Sequence, residues 1–337
     1  MINKGDLSSI VISSRIRLAR CLNGVVFPSR LTSEQGFALT KKIADQILPL
    51  GDFKVYAMNT LPKTDAMVMH EKHLISLELA EDHDFSAVVL SSDESVSIMV
   101  NEEDHIREQC ILKGLSLIEA YNKLNQIDEV LISKLDVAFD SDFGFLNSCV
   151  TNLGTGMRAS VMMFLPALSM SGEVQGIING LAREGMVVRG VYGEGSEAQG
   201  FMYQISNSRA LGRSERDIID EVQMYALKIA EAELSARDAL IQTSPDKVTD
   251  EVYRAWGILT NCYMISSSEF MRLAGVVKMG IAFNLIRLKD NTIIDRLISQ
   301  CMPYSLTQIA GYDMTDNERD KLRATQARTT LKNNRIK

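Results

Sequence analysis

The chain has 337 residues, 46% hydrophobic and 23% charged, with a net charge of −7. That is enough for one large or two smaller globular domains, and the negative balance excludes a nucleic-acid binder working by bulk electrostatics. No run approaches the ~18 apolar residues of a membrane span, so no membrane partner is expected. The opening MINKGDLSSIVISSR lacks the apolar core of a secretory signal. Five scattered cysteines without C-x-x-C spacing fit the reduced thiols of a cytoplasmic protein better than a disulfide framework or a zinc site. The four histidines add no metal-binding spacing, so no protein-held metal is expected.

In chain order, SSIVISSR (8–15) reads as a strand, and 33–48 reads as a helix with Ser33 as its N-cap. FSAVVL (85–90) and SVSIMV (95–100) form two strands of a hairpin around SSDE. The stretch 115–139 is a long amphipathic helix. MRASVMMF (157–164), MVVRG (186–190) and FMYQIS (201–206) are strands, and 213–240 is another long helix. Beyond SPDK (244–247) the pattern becomes helical without clear strands, in EVYRAWGILT, SSEFMRLAGVVKMGI and TIIDRLISQ. The expected fold class is α+β, an antiparallel sheet flanked by helices over 1–243, followed by a smaller helical domain over 244–337.

Arginine recurs in SSRIRLAR (13–20), HIR (105–107), GTGMRAS (154–160), VVRG (187–190) and NERDKLRA (317–324). Arg15 and Arg17 share one face of their strand. Guanidinium forks match phosphate oxygens and keep their charge. Several converging would hold a polyphosphate and neutralise charge during phosphoryl transfer. Salt bridges to the 43 acidic residues are the plainer explanation for any one of them. Two acidic features accompany them. NEED (101–104) follows a strand, and RGVYGEGSEAQG (189–200) is a glycine-rich segment with Glu194 near its middle. Carboxylates from two segments would clamp a guanidinium and accept its proton as an N–P bond forms. A metal site or a helix cap would also account for NEED. TNLGTG (151–156) supplies either an anion-binding loop or an ordinary turn. It carries neither the P-loop nor the dinucleotide signature. Cys149 beside it is a candidate activated thiol or a small buried residue.

SSRIRLAR, NEEDHIR, C-x-TNLGTGMRAS and RG-x-x-GE, in this order, resemble the guanidino-phosphotransferases, which include creatine kinase and arginine kinase. EKHLIS, GEGSEA and the late RDxxRA are similar to the bacterial protein-arginine kinases of the McsB family. The SSR strand lies close to Met1, so the helical N-terminal domain of creatine and arginine kinases is not expected. The resemblance implies ATP and Mg²⁺ as cofactors. Arg15, Arg17, Arg107, Arg158 and Arg189 would grip the phosphates. Ser13, Ser14, Ile16, His73, Ala159, Ser160, Val161, Met162, Gly190, Val191, Tyr192 and Gly193 fall in the nucleotide-contacting stretches. Glu103 would be the catalytic carboxylate, Glu194 its partner and Cys149 the reactive cysteine. Where the family often has Pro after that cysteine, this chain has Val150, which relaxes the local φ restriction. Arg319, Asp320, Arg323 and Ala324 match a separate phosphoarginine-binding motif; Arg319 and Arg323, four apart, are neighbours on a helix. The implied activity is transfer of the γ-phosphate of ATP to arginine side chains of proteins. Its implied partners are a small zinc-binding activator, a Clp-type protease and a second copy in a homodimer. The alternatives are a kinase of free arginine or another small guanidine, and a non-catalytic phosphoarginine-binding adaptor.

Overall fold

The computed structural model describes residues 4–81, 84–190 and 199–336. Helix α1 (Lys4–Ile10) leads into strand β1 (Val11–Arg20), then α2 (Ser33–Ile47), β2 (Phe53–Ala57), α3 (Lys63–Glu71) and α4 (Leu77–Glu81). Strands β3 (Ala87–Ser91), β4 (Val96–Val100) and β5 (Ile106–Lys113) precede α5 (Leu117–Lys134). After the small β6 (Phe139–Asp140) and β7 (Gly144–Phe145) come β8 (Met157–Phe164), α6 (Pro166–Ser171), α7 (Val174–Arg183), β9 (Met186–Gly190) and β10 (Met202–Asn207). Helix α8 (Glu215–Thr243) is followed by α9 (Pro245–Asn261), α10 (Ser267–Ala282), α11 (Ile293–Gln300), α12 (Pro303–Ala310) and α13 (Asp316–Asn334). Eight strands form one antiparallel sheet in the order β2-β3-β4-β5-β1-β8-β10-β9. The expected α+β class is the observed one.

The period-2 alternation of the strands gives this sheet two unlike faces. Ile16, Leu18, Ile98, Ile106, Cys110, Ala159, Val161 and Ile205 point one way, into an apolar core shared with α2, α5 and α8. On the other face, Val88 and Met99 at one end pack beneath α3 and α4. At the other end Phe164, Ile12 and Met202 meet a second apolar cluster built by the helices after residue 245. The stretch between these covered ends is polar. The Glu71 carboxylate at the end of α3 accepts from Tyr304 N (2.7 Å), Ser305 N (2.8 Å) and Ser305 Oγ (2.7 Å) at the start of α12. A carboxylate suits a helix N-terminus, whose amides lack intrahelical partners. No helix of the described residues is long and apolar enough to cross a membrane.

Several boundaries differ from those read from periodicity. Ser8–Ile10 belong to α1, so the strand begins at Val11. Thr32, not Ser33, caps α2: its hydroxyl accepts from Gln35 N while Gln35 Oε1 accepts from Thr32 N, a reciprocal capping box. Helix α5 stops at Lys134 rather than 139, because the next residues extend to pair with the segment just after β1 (Asn23 N to Asp136 O, 2.7 Å; Ala138 N to Cys21 O, 2.8 Å). Tertiary pairing there overrides helical propensity.

Arg20, at the end of β1, is buried and is a framework residue. It forks onto Asp128 of α5 (2.9 and 2.7 Å), donates to Ala19 O and Thr155 O, and stacks on Phe145 at 3.7 Å. Glu108 of β5 lies wholly buried nearby. Burial, and then the negative charge of Asp128, push its carboxyl well above its ordinary 4.5. The folded chain therefore holds a proton that the unfolded chain releases above about pH 4.5, so this group's contribution to stability falls as pH rises from there. Glu108→Gln should flatten that fall and raise the urea midpoint at pH 8 more than at pH 5. Arg20→Met should lower stability by about 3–5 kcal/mol, because it strands a buried carboxylate. Equilibrium unfolding at the two pH values checks both.

Candidate active site

The polar middle of the sheet is a ring of cations. Arg15 and Arg17 of β1, Arg107 of β5, Arg158 of β8 and Arg189 of β9 line one cavity of about 170 Å³, together with Ser160 and Gln204. Strand register brings them together. Arg17 pairs across from Arg158, Arg15 across from Ser160, and Gln204 across from Arg189. Like charges directly opposite on neighbouring strands repel. The crowding is visible in the guanidinium groups. Arg15 is pushed down to about 9, by burial first and then by Arg107 and Arg158. Arg17 is lowered well below its usual range, by burial and then by Arg107, Arg15 and Arg158.

Neighbouring side chains hold several of these forks in place. Arg15 donates to Gln109 Oε1, whose Nε2 is anchored on the carbonyls of His73 and Leu74 (both 2.8 Å). Arg107 is bridged to Glu102, and Arg158 donates to Ser206 Oγ at 2.8 Å. Buried Nε atoms of Arg15 and Arg107 have no hydrogen-bond partner among the described residues. A cavity walled by five cationic forks suits a polyanion.

The three carboxylates of NEED do three different things. No helix follows them, so they are not a helix cap; they form the turn from β4 to β5. Glu102 is the counter-ion of Arg107. Asp104 is buried and organises the next segment, accepting from Ser148 N (2.7 Å), Asn152 Nδ2 (3.1 Å) and Cys21 Sγ (3.2 Å). Glu103 alone is exposed. Burial, then Asp104 and Glu102, raise its carboxyl, while Arg107 and Arg17 act against them. Glu102, Glu103 and Arg107 line a second cavity of about 600 Å³ with Glu78 and Asp84. Arg107 is thus a wall common to a cationic and an acidic cavity.

Other predicted site residues separate by face. Ser13 and Met162 lie on the open side with His73, all lining a third, interdomain cavity. Ser14, Ile16, Ala159 and Val161 turn their side chains to the core side and are buried, and Ser14 Oγ is tied to Gly114 O and Ser116 N. Gly190 ends β9 opposite Tyr203. Val191, Tyr192, Gly193 and Glu194 lie outside the described residues. His73 has a positive φ of 61°, and burial, then Arg15, lower it to about 4, so it is neutral at physiological pH. His105 is a buried tether: Nδ1 accepts from Leu22 N, leaving Nε2 to donate to Val26 O. Cys149 is half-buried, with Sγ 3.0 Å from Thr151 Oγ1. In TNLGTG, Gly154 N is already given to Phe143 O, and a Cβ on Gly156 would stand 2.6 Å from Arg20 Nη1. Those glycines serve a close approach of backbone (φ +89° and +65°) rather than an anion.

The RDxxRA motif lies on α13. Arg323 is buried at 1% exposure and spends its donors on Cys301 O, Ile265 O and Asp320 Oδ1. Ala324 is buried, and Arg319 bonds Met314 O and bridges to Asp316. The helix does not present two open forks side by side, as the spacing suggested; it turns Arg323 inward beneath Asp320.

A cationic ring beside a carboxylate turn on an antiparallel sheet is an arrangement suited to phosphoryl transfer onto a guanidine. Residues 38–236 match the family model of the ATP:guanido phosphotransferase C-terminal catalytic domain, and 245–337 match that of the protein-arginine kinase McsB C-terminal domain. The protein-arginine kinase of Bacillus subtilis (strain 168) is 43% identical over 336 residues, covering 98% of this chain and 92% of that one. That of Moorella thermoacetica is 41% identical over 337 residues, covering 98% and 96%. Among solved structures, the duplicated taurocyamine kinase of Schistosoma mansoni aligns with a TM-score of 0.63 at 22% identity, over 80% of this chain and 44% of that one. Lombricine kinase aligns at 0.61 and 24%, over 69% and 68%. The chain belongs to the protein-arginine kinase (McsB) family of ATP:guanido phosphotransferases.

Sequence reasoning missed Glu102 as a counter-ion, Gln109 as the clamp on Arg15, Asp104 as a loop organiser, and Gln204 and Ser206. The period-2 spacing of Arg107–Gln109 and Gln204–Ser206 is the signal that would have found the clamps. Because Arg17 is crowded by cations, Arg17→Met should raise the thermal midpoint of the free protein. It should also remove most of the further rise that tripolyphosphate gives the wild type. Thermal unfolding with and without tripolyphosphate checks this; an equal rise in both proteins would count against a polyanion site.

Proposed function

We propose that this chain transfers the γ-phosphoryl group of ATP to the guanidinium of arginine side chains in proteins, with residues 1–243 as the catalytic unit. The observation that carries the reading is the common wall at Arg107, with phosphate-matching forks on one side and Glu103 on the other. In this reading the five arginines hold the triphosphate and neutralise the charge that moves onto the β–γ bridging oxygen. Mg²⁺ bound with the nucleotide would supply further charge neutralisation beside the five arginines. Glu103 orients the substrate guanidinium and takes the proton from the attacking nitrogen. The N–P bond forms as the bond from the γ-phosphorus to that oxygen breaks, and ADP leaves. The raised basicity of Glu103 suits it to accept that proton. Glu194 is the second carboxylate of the reading, and Cys149 its reactive cysteine.

The helical part, 244–337, carries the phosphoarginine-binding motif in the same reading, with Arg319 and Asp320 outermost and Arg323 fixing Asp320 from below. The family resemblance extends the proposal to marking of proteins for Clp-type proteolysis, a small zinc-binding activator, a homodimer and a cytoplasmic setting.

Incubation with ATP and either an arginine-rich protein or free arginine, followed by mass spectrometry under conditions that preserve N–P bonds, tests the activity. Acid-labile phosphate on the protein is the expected result; label confined to free arginine would replace the reading with a small-guanidine kinase. Glu103→Ala should lower transfer by about 10²–10⁴-fold with little change in ATP affinity, measured by single-turnover assay and calorimetry. Turnover at the wild-type rate would remove Glu103 from the mechanism.

A further inference from the structure

The third cavity, of about 650 Å³, lies beside the cationic one, and its helical wall has been given no role so far. Its floor continues the same strands. Ser13 lies two residues from Arg15 on β1, Met162 two from Ser160 on β8, and Met202 two from Gln204 on β10. Two residues of strand span about 6.8 Å, so the two cavities are one short step apart on a single face. His73 forms the near edge. The opposite wall comes from the helices after residue 245: Met271, Gly275 and Lys278 of α10, Ile298 and Ser299 of α11, and Met302.

The chemistry of this space differs from that of its neighbour. Methionines and aliphatic side chains dominate it, as in pockets that take flat apolar ligands. The charged groups at its rim are largely paired with each other. Lys278 is bridged to Asp295 (2.5 Å) and lies 5.1 Å over the Phe164 ring, and Lys72 is bridged to Glu94 (2.9 Å). An apolar chamber next to a phosphate-matching one, on the same face of the sheet, fits a nucleotide lying across both.

We infer that the helical C-terminal part supplies one wall of the nucleoside subsite, so that the base of ATP is held between the sheet and helices α10 and α11. The inference rests on the proposal that the arginines hold the triphosphate, and it adds a role for residues outside the catalytic unit. Affinity for the base depends on 271, 298, 299 and 302, whereas affinity for the phosphates does not. Closeness of the two parts is built into the backbone here: a Cβ on Gly275 would lie 2.6 Å from the Cα of Gly200.

Ser299 is exposed at the cavity wall, so replacing it does not threaten the fold. In the full chain carrying Ser299→Cys, ATP should slow maleimide labelling at position 299, read by peptide mass spectrometry, at least severalfold; tripolyphosphate should not. In Ser299→Trp, calorimetry should show ATP affinity shifted by about tenfold with tripolyphosphate affinity within twofold of wild type. If wild type binds tripolyphosphate but ATP neither protects Cys at 299 nor changes affinity in Ser299→Trp, the nucleoside wall is overturned and the arginine site stands. Wild type failing to bind tripolyphosphate would overturn both.

Discussion

Arg17 and Arg158 face each other across adjacent strands, with Arg15 and Arg107 close by. This repulsion is the constraint around which the rest of the sheet is arranged. Cations in a half-buried cluster are tolerated only if the backbone carrying them cannot move apart. β1 and β8 are central strands, hydrogen-bonded on both sides, and their opposite faces are packed against α5 and α8. The apolar core beneath therefore stores the electrostatic strain above it. A bound polyphosphate would replace repulsion by charge-assisted hydrogen bonds at positions already fixed, which is what preorganisation means for phosphoryl transfer.

The acidic residues divide between holding this arrangement and acting in it. Glu102 neutralises one fork and stays low in pKa despite its burial, through Arg107 and nearby hydrogen bonds. Asp104 is consumed by the 148–152 segment, and so fixes the approach of Cys149 to the same turn. Only Glu103 is left facing solvent with a raised pKa. The three consecutive carboxylates are thus one counter-ion, one exposed carboxylate of raised pKa and one strut.

Much of this was legible from sequence. The alternation in SSRIRLAR and MRASVMMF puts Arg15, Arg17 and Arg158 on one face of their strands, and burial of Ile16, Ala159 and Val161 on the other face follows from the same period. Strand β5 was not legible. Glu108, buried and held protonated, and Gln109, buried as a clamp, occupy adjacent positions and erase the apolar–polar alternation. Its membership of the sheet is what brings Arg107 into the ring. Arg323 shows the opposite failure. Its i,i+4 spacing to Arg319 correctly predicts proximity on a helix, but spacing carries no information about the carbonyls of Ile265 and Cys301 that draw it inward.

Two of the places where the helices after residue 245 bear on the sheet part lie next to site residues. Glu71, two positions before His73, holds the first amides of α12. Gly200, which follows the stretch containing Glu194 and precedes β10, packs backbone to backbone against Gly275 of α10. A side chain at either glycine would have to displace main chain rather than a flexible group; a Cβ on Gly200 would already sit 3.0 Å from Met271 O. A shift of α10 or α12 relative to the sheet therefore moves the backbone that carries His73 or the end of the Glu194 segment. With interiors packed as densely as crystals, the position of the helical part is a condition for the geometry of the site rather than an appendage to it.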